Sequence, residues 1–256
     1  MSAASFEVVI PARLGSTRLP RKVLRELSGK PVVQWVWEAA MAAGAASVTI
    51  ATDADEVAQV CRRFGALVAM TDASHQSGTD RANQVARERH WGADRIVVNV
   101  QGDEPLMPPA LIAQVAQLLA EDAEAHIATL AHGIHDADDF ANPNVVKVVS
   151  DRRGYALYFS RAPIPWQRDG SSRSQPLLPQ GLAFRHIGLY AYRAGALAEF
   201  SALPPSALET CEALEQLRAL THGFRIKLGI TNTPPPRGVD TEEDLLALVE
   251  HLSRPR

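Results

Sequence analysis

Short apolar runs alternate with longer amphipathic stretches through the first half of the chain, and this alternation lays out its elements in order. Phe6-Glu-Val-Val-Ile10 is β-branched and reads as a buried first strand. Pro31 suits the first position of a helix predicted over 31–43. Ser47-Val-Thr-Ile-Ala51 predicts a strand that ends in Thr52-Asp53, followed by a helix over 55–64 and a strand over 66–70. A loop over 71–79 leads into a helix that runs to residue 90. Arg95-Ile-Val-Val-Asn-Val100 reads as a strand buried on both faces, with Gln101-Gly-Asp-Glu-Pro105 directly after it. A helix over 109–119 and a strand over 126–131 follow. Repeated βα units of this size predict a parallel sheet with helices on both faces and right-handed crossovers.

The second half is less regular. Val145-Val-Lys-Val-Val149, Ala156-Leu-Tyr-Phe159 and residues 186–192 predict strands separated by turns, an antiparallel segment appended to the parallel sheet. Residues 167–181, rich in Ser, Pro, Gly and charge, predict an exposed loop. One helix is expected over 208–220 and an extended segment over 225–230. Thr241-Glu-Glu-Asp244 supplies an N-cap and an acidic first turn for a last helix. The 256 residues predict one α/β domain over 1–256, with about 150–200 as an appended subdomain.

Composition narrows the function without choosing it. Hydrophobic residues make up 46% and charged residues 21%, ordinary for a globular chain. A net charge of −3 makes any basic patch local, which argues against a nucleic-acid partner. Cys61 and Cys211 fit no metal or redox spacing and are expected as buried spectator thiols. No apolar run reaches transmembrane length and no basic segment precedes an apolar one at the N-terminus. The expectation is a cytoplasmic protein without membrane insertion.

Chemistry gathers first in the loop between the first strand and the first helix. From 11 to 30 it carries Arg13, Arg18, Arg21, Lys22, Arg25 and Lys30 against one acid, Glu26. A cationic loop at the carboxyl end of a parallel strand is where an open α/β sheet binds a ligand, and the charge selects an anion such as phosphate. A basic surface loop is by default merely solvated. Neither a Walker A sequence nor Gly-x-Gly-x-x-Gly follows the strand, which counts against the ATPase and dinucleotide readings.

Asp103, at the end of the most hydrophobic strand, suits Mg²⁺, which takes one or two carboxylates plus phosphate oxygens. A Gly-Asp turn with no ligand is the bland alternative. Asp240, in Arg237-Gly-Val-Asp240, precedes a helix and by itself reads as a helix-entry residue. His75-Gln-Ser-Gly-Thr-Asp-Arg81 is polar; Thr79 or Asp80 caps a helix there, or the backbone reads a base edge. Glu209, Glu212, Glu215 and Gln216 share about a third of a helix circumference at ~100° per residue, a solvated face by default. His186, Gly188 and Tyr190 lie on one side of a strand by period 2, as a site wall or as a satisfied core histidine.

These motifs, in this order, resemble the CMP-Kdo synthetases, or 3-deoxy-manno-octulosonate cytidylyltransferases. The resemblance runs through Pro11-Ala-Arg13, Leu19-Pro20, Lys22, Ala51-Thr-Asp53, His75 to Arg81 and Val98-Asn-Val-Gln-Gly-Asp-Glu-Pro105. It continues through Asn142-Pro-Asn-Val-Val-Lys-Val-Val149, Phe159-Ser-Arg-Ala-Pro-Ile-Pro-Trp166, Arg185-His-Ile-Gly-Leu-Tyr190, Leu214-Glu-Gln-Leu-Arg218 and Gly238-Val-Asp-Thr-Glu242. It implies a fold like the nucleotide-diphospho-sugar transferases: a mainly parallel sheet, helices on both faces and a smaller antiparallel subdomain. It also implies transfer of CMP from CTP to Kdo with release of pyrophosphate, for lipopolysaccharide biosynthesis. By the resemblance, Arg13 and Lys22 hold the triphosphate, and Ser77, Gly78 and Arg81 bind the nucleotide. Asp103 and Asp240 coordinate Mg²⁺. Gln101, Arg161, His186, Tyr190, Glu215 and Gln216 line the sugar-acid pocket, with Arg161 on the carboxylate.

A homodimer is implied too, with 150–200 as the candidate interface. Where the family commonly has Leu-Pro-Gly-Lys-Pro-Leu, this chain has Leu19-Pro-Arg-Lys-Val-Leu24, with a charge in place of a glycine. Two alternatives stay open: CMP transfer to another 2-keto sugar acid such as sialate or an amino-Kdo analogue, and a silent paralogue that only binds a nucleotide sugar.

Overall fold

Strands that carry apolar residues on both faces belong in the middle of a sheet, and the chain places them there. The computed structural model describes residues 4–15, 19–170, 172, 176–236 and 238–253. Ser16, Thr17 and Arg18 of the first loop, part of the 167–181 segment, and Arg237 lie outside the described residues. The strands are β1 (Phe6–Pro11), β2 (Glu26–Leu27), β3 (Lys30–Pro31), β4 (Ser47–Thr52), β5 (Leu67–Met70), β6 (Ile96–Asn99), β7 (Ile127–Gly133), β8 (Lys147–Ser150), β9 (Ala156–Ser160), β10 (Phe184–Arg193) and β11 (Ile226–Ile230). The helices are α1 (Val32–Ala42), α2 (Asp55–Arg63), α3 (Gly78–Glu88), α4 (Pro109–Ala120), α5 (Ala137–Ala141), α6 (Ala194–Ala202), α7 (Ala207–Glu212), α8 (Gln216–Thr221) and α9 (Glu242–Ser253). Among them no helix is long and apolar enough to cross a membrane.

The main sheet runs β11-β7-β10-β6-β1-β4-β5. β1 pairs in parallel with β4 and β6, β4 with β5, and β7 with β11. The predicted antiparallel strands are present, but β10 is not appended at an edge: it lies between β6 and β7, antiparallel to both. β8 and β9 extend from β10 as the small antiparallel part. Because β10 reverses direction, its amino end reaches the same edge as the carboxyl ends of β1, β6 and β7. Leaving β1, the chain steps outward to β4 and β5, then returns to the other side of β1 as β6. This reversal opens a crevice between β1 and β6 at their carboxyl ends, where open α/β sheets take their ligands.

Alternate positions on each strand feed two cores. Phe6, Val8 and Ile10 of β1 pack with Ile96 and Val98 of β6 on one face. Val9, Val97 and Tyr192 pack on the other face with Val85, Leu197 and Leu217. A third, smaller cluster joins Leu19, Leu27 and Val32 from around the first loop to Val239, Leu245 and Leu248. It docks α9 against that loop. β2 and β3 form a tight hairpin within the loop, turned by Ser28 (φ 49°) and Gly29 (φ 83°), two positive φ values in succession as a type I′ turn requires.

Three local expectations change. Pro31 occupies the N-cap position of α1, so the helix begins one residue later. The single helix expected over 208–220 is two: Ala213 takes a left-handed conformation (φ 50°, ψ 51°) and ends α7, and α8 starts at Gln216. The helical-wheel reading of the glutamates therefore fails, because Glu209 and Glu215 belong to different axes. Of the two cysteines only Cys61 is buried; Cys211 is exposed. Burial pushes the Cys61 thiol up to about 12. A thiol reagent applied to the native protein at pH 8 should modify Cys211 promptly and leave Cys61 untouched until denaturant is added. Two equally fast equivalents in the native state would contradict this packing.

Candidate active site

Three loops leave the carboxyl edge of the sheet and meet over the crevice. The loop after β1 carries Arg13 and Lys22, the turn after β6 carries Gln101 and Asp103, and the segment after β11 brings Asp240. Together with Ser77, Gly78 and Arg81 of α3 they line one cleft of ≈ 650 Å³. Pro11, Gly15, Val23, Gln76 and Gly102 complete the wall. Close approach of the first two loops depends on Gly102, whose added Cβ would lie 2.6 Å from the Pro11 carbonyl oxygen. Gly78 in turn abuts the Pro11 ring.

Lys22 is the centre of the cleft. Its Nζ forms ion pairs with Asp103 and, at 2.9 Å, with Asp240. Burial works against its charge, yet Asp103 and then Asp240 outweigh burial and raise its pKa above the ordinary lysine value. Asp240 is held in place by Val239, whose N–H donates to the Asp103 carbonyl oxygen at 2.8 Å. Helix α9 begins directly beyond it: Asp244 accepts from the Thr241 N–H, and Thr241 Oγ1 accepts from the Asp244 N–H. The predicted N-cap is thus observed, and the Asp240 N–H also donates to Asp244 Oδ2 at 3.0 Å. The neighbouring Glu104 is half-buried, and loss of hydration first, then Asp103, push its carboxyl up to about 7.

On the opposite wall, Ser77 caps α3 in a capping box with Asp80, so the cap is Ser77 rather than Thr79 or Asp80. The cap aims the first N–H groups of an 11-residue helix into the cleft, a favourable end for phosphate or an electron-rich base edge. Arg81 is nearly fully buried; it donates to Asp53 Oδ2 at 2.8 Å and Thr71 Oγ1 at 2.7 Å. Asp53, at the end of β4 in Ala51-Thr-Asp53, therefore supports Arg81, a role that its position in the sequence does not reveal.

Arg21 occupies the position where the resemblance leads one to expect glycine. It takes the left-handed conformation (φ 59°, ψ 27°) that glycine adopts freely, at a cost of about 1 kcal/mol for a residue with a Cβ. Its guanidinium pairs with Glu56 on α2. The loop keeps its turn, and Lys22 keeps its aim.

The other predicted residues fall into two groups. His186, Tyr190, Glu215 and Gln216 lie beside the cleft in a half-buried polar cluster. Glu215 Oε2 accepts from Thr79 Oγ1 at 2.7 Å, which ties the start of α8 to the start of α3. Burial raises the Glu215 carboxyl above its usual range. Tyr190 Oη, Glu215 Oε1, Gln216 Nε2 and Asn99 Oδ1 are buried without a hydrogen-bond partner, although Arg218 lies 4.0 Å from Glu215 Oε1. Buried polar atoms are nearly always paired, so a local concentration of unpaired ones marks a place where polar groups of a substrate fit. Asn99, directly opposite Tyr190 on β6, joins the cluster; its strand position had read as core.

Arg161 stands apart. Its Nε donates to the Glu212 carbonyl at 2.6 Å, and Nη1 donates to the Pro143 carbonyl at 3.0 Å. Glu212 accepts from Ser160 Oγ and from the Arg161 N–H, and Glu209 is bonded to Arg218. These two glutamates brace the α7–α8 elbow, and Arg161 clasps it from the β9 side.

A cationic, glycine-lined cleft with two carboxylates at the switch point of this sheet defines the nucleotidyltransferase class. Residues 8–226 match the family model described as Cytidylyltransferase. The chain is 54% identical over 244 residues to the 3-deoxy-manno-octulosonate cytidylyltransferase of Pseudomonas fluorescens, spanning 95% of this chain and 96% of that one. The enzyme of the same name from Vibrio cholerae is 54% identical over 241 residues, 94% of this chain and 95% of the other. A solved structure of CMP:2-keto-3-deoxy-manno-octonic acid synthetase complexed with CTP has a TM-score of 0.88 and 39% identity, covering 98% of this chain and 99% of that chain. The chain belongs to the 3-deoxy-manno-octulosonate cytidylyltransferase family.

Burial, and then Arg185, pull the pKa of His186 down to about 3, so it is neutral when folded. The unfolded chain binds a proton there below about 6.5, so stability falls as pH drops through that value toward 3. His186→Gln should flatten the stability curve between about pH 4 and 6.5, measured by urea unfolding. An unchanged slope would contradict a buried neutral ring.

Proposed function

We propose that the chain catalyses CTP + Kdo → CMP-Kdo + pyrophosphate with the help of Mg²⁺. The supporting observation is the convergence of Lys22, Asp103 and Asp240 in a cationic cleft beside a buried cluster of unpaired polar atoms. The first half of that arrangement suits a triphosphate, the second a polyhydroxy acid. Asp103 and Asp240 suit Mg²⁺: two hard oxygen donors on separate loops reach one point, and phosphate oxygens and water complete such a shell. When bound there, Mg²⁺ neutralises phosphate charge and favours departure of pyrophosphate.

The chain's own residues then have distinct tasks. Arg13 and Lys22 hold the triphosphate, and Lys22 stabilises charge that builds at the α-phosphate. Ser77, Gly78 and Arg81 with the α3 N-terminus seat the nucleotide. Gln101, His186, Tyr190, Glu215 and Gln216 position the sugar acid, with Arg161 on its carboxylate side. The 2-hydroxyl oxygen of Kdo attacks the α-phosphorus and releases its proton to solvent, and the bond from that phosphorus to the bridging oxygen of pyrophosphate breaks. Two anions must be brought together, so fixed positive charge does most of the work and no Ser or Cys nucleophile is needed.

CTP as substrate also implies a cytoplasmic location. Leu157, Trp166, Leu177 and Leu182 are exposed within 150–200, an apolar surface suited to a second copy in a homodimer.

Pyrophosphate release should require both CTP and Kdo, with UTP, sialate and amino-Kdo much poorer. Binding of CTP without Kdo-dependent release would favour the silent paralogue, and a preference for another acid would reassign the acceptor. Arg161→Ala should raise the KM for Kdo by about tenfold or more and change that for CTP little. Equal changes in both would remove Arg161 from the acceptor side.

A further inference from the structure

The strand that carries His186 and Tyr190 is not regular. Along β10, Ile187 pairs with Leu130 and Tyr190 with Thr129, so Gly188 and Leu189 are extra residues against β7. Such a bulge re-aims side chains and deprives nearby carbonyls of their ladder partners. Thr129, fully buried on β7, answers for them: its Oγ1 lies 3.1 Å from the Ile187 carbonyl oxygen and 2.8 Å from that of Leu189. The same oxygen lies 2.9 Å from His186 Nε2.

A hydroxyl has one proton to donate, and carbonyl oxygens only accept. If the Thr129 proton pointed at His186, two carbonyl oxygens would face a hydroxyl lone pair in a buried site. The proton therefore goes to the bulge, chiefly to Leu189, and Thr129 Oγ1 accepts from His186. Nε2 must then carry the hydrogen. Burial keeps the ring neutral, so Nδ1 is left with its lone pair. The ring lines a cavity of ≈ 60 Å³ shared with Glu104 and Gly238, each next in sequence or nearly so to one carboxylate that faces Lys22.

We propose that Thr129 is a positioning residue that staples the β10 bulge and fixes His186 as its Nε2–H tautomer, so that Nδ1 accepts a hydrogen bond from a hydroxyl of the sugar acid. The second half rests on the acceptor-side reading of His186 given above; the tautomer itself does not.

Ring ¹⁵N spectra of the full-length protein, with and without Kdo, test it. The free protein should show neutral His186 protonated at Nε2, and Kdo in the presence of a non-hydrolysable CTP analogue should shift the Nδ1 resonance. Thr129→Val should give mixed tautomers and lower kcat/KM for Kdo by about tenfold with the KM for CTP nearly unchanged. Thr129→Ser, which keeps the hydroxyl, should restore both the spectrum and the rate. A wild-type ring protonated at Nδ1 overturns the proposal even if Thr129→Val fails to fold. So does a folded Thr129→Val with the wild-type spectrum and kinetics. An Nε2–H ring that ignores Kdo overturns the role of Nδ1 and the acceptor-side reading, while leaving the staple in place.

Discussion

One ammonium group held between two carboxylates organises this molecule, and the ion pairs themselves do not bring it there. Lys22 gives up hydration to reach Asp103 and Asp240, and both carboxylates keep contact with solvent, so lost hydration and screening offset much of the attraction. The small cluster of Leu19, Leu27, Val32, Val239, Leu245 and Leu248 is the larger contribution, at about 1.5–3 kcal/mol for each fully buried side chain. It clamps the first loop to α9, and so brings residues more than two hundred positions apart into reach. Apolar packing supplies the stability, and the charges take their places on it.

The two halves of the cleft solve different problems. On the phosphate side, positive charge and helix N–H groups gather where anionic oxygens belong, and Gly102 lets two loops approach to backbone contact. Beside it, where the proposal puts the acceptor, polar atoms of Tyr190, Glu215, Gln216 and Asn99 are buried without a hydrogen-bond partner. The α7–α8 elbow and the β10 bulge both serve that side. Each is a break in regular structure, and under the proposed function each turns a side chain toward the acceptor.

Much of the fold was legible because the strands alternate apolar residues onto both faces. β1, β4, β6 and β7 and helices α1 to α4 fall within a residue or two of their predicted bounds. The place of β10 was not legible: a strand inserted antiparallel among parallel neighbours depends on long-range pairing that no local pattern records. The break at Ala213 was hidden for a different reason, since alanine is the best helix former and here takes a left-handed turn. Of the site, the cationic first loop and the post-strand Asp103 could be read from position and charge alone. Asp240 looked like a helix-entry residue because its partner Lys22 is distant in sequence. Thr129 and Asn99 carried no signal, being polar residues inside otherwise apolar strands.

Under the proposed function Asp103 and Asp240, brought together by the packing beneath Lys22, act as one metal site. Titration of Mn²⁺ into the protein with CTP, followed by electron paramagnetic resonance, tests it most directly. One tight, CTP-dependent site is expected in the wild type, lost on either Asp103→Asn or Asp240→Asn and not further weakened when both are changed. A site that survives one of these substitutions at full affinity would show that the two carboxylates do not act together.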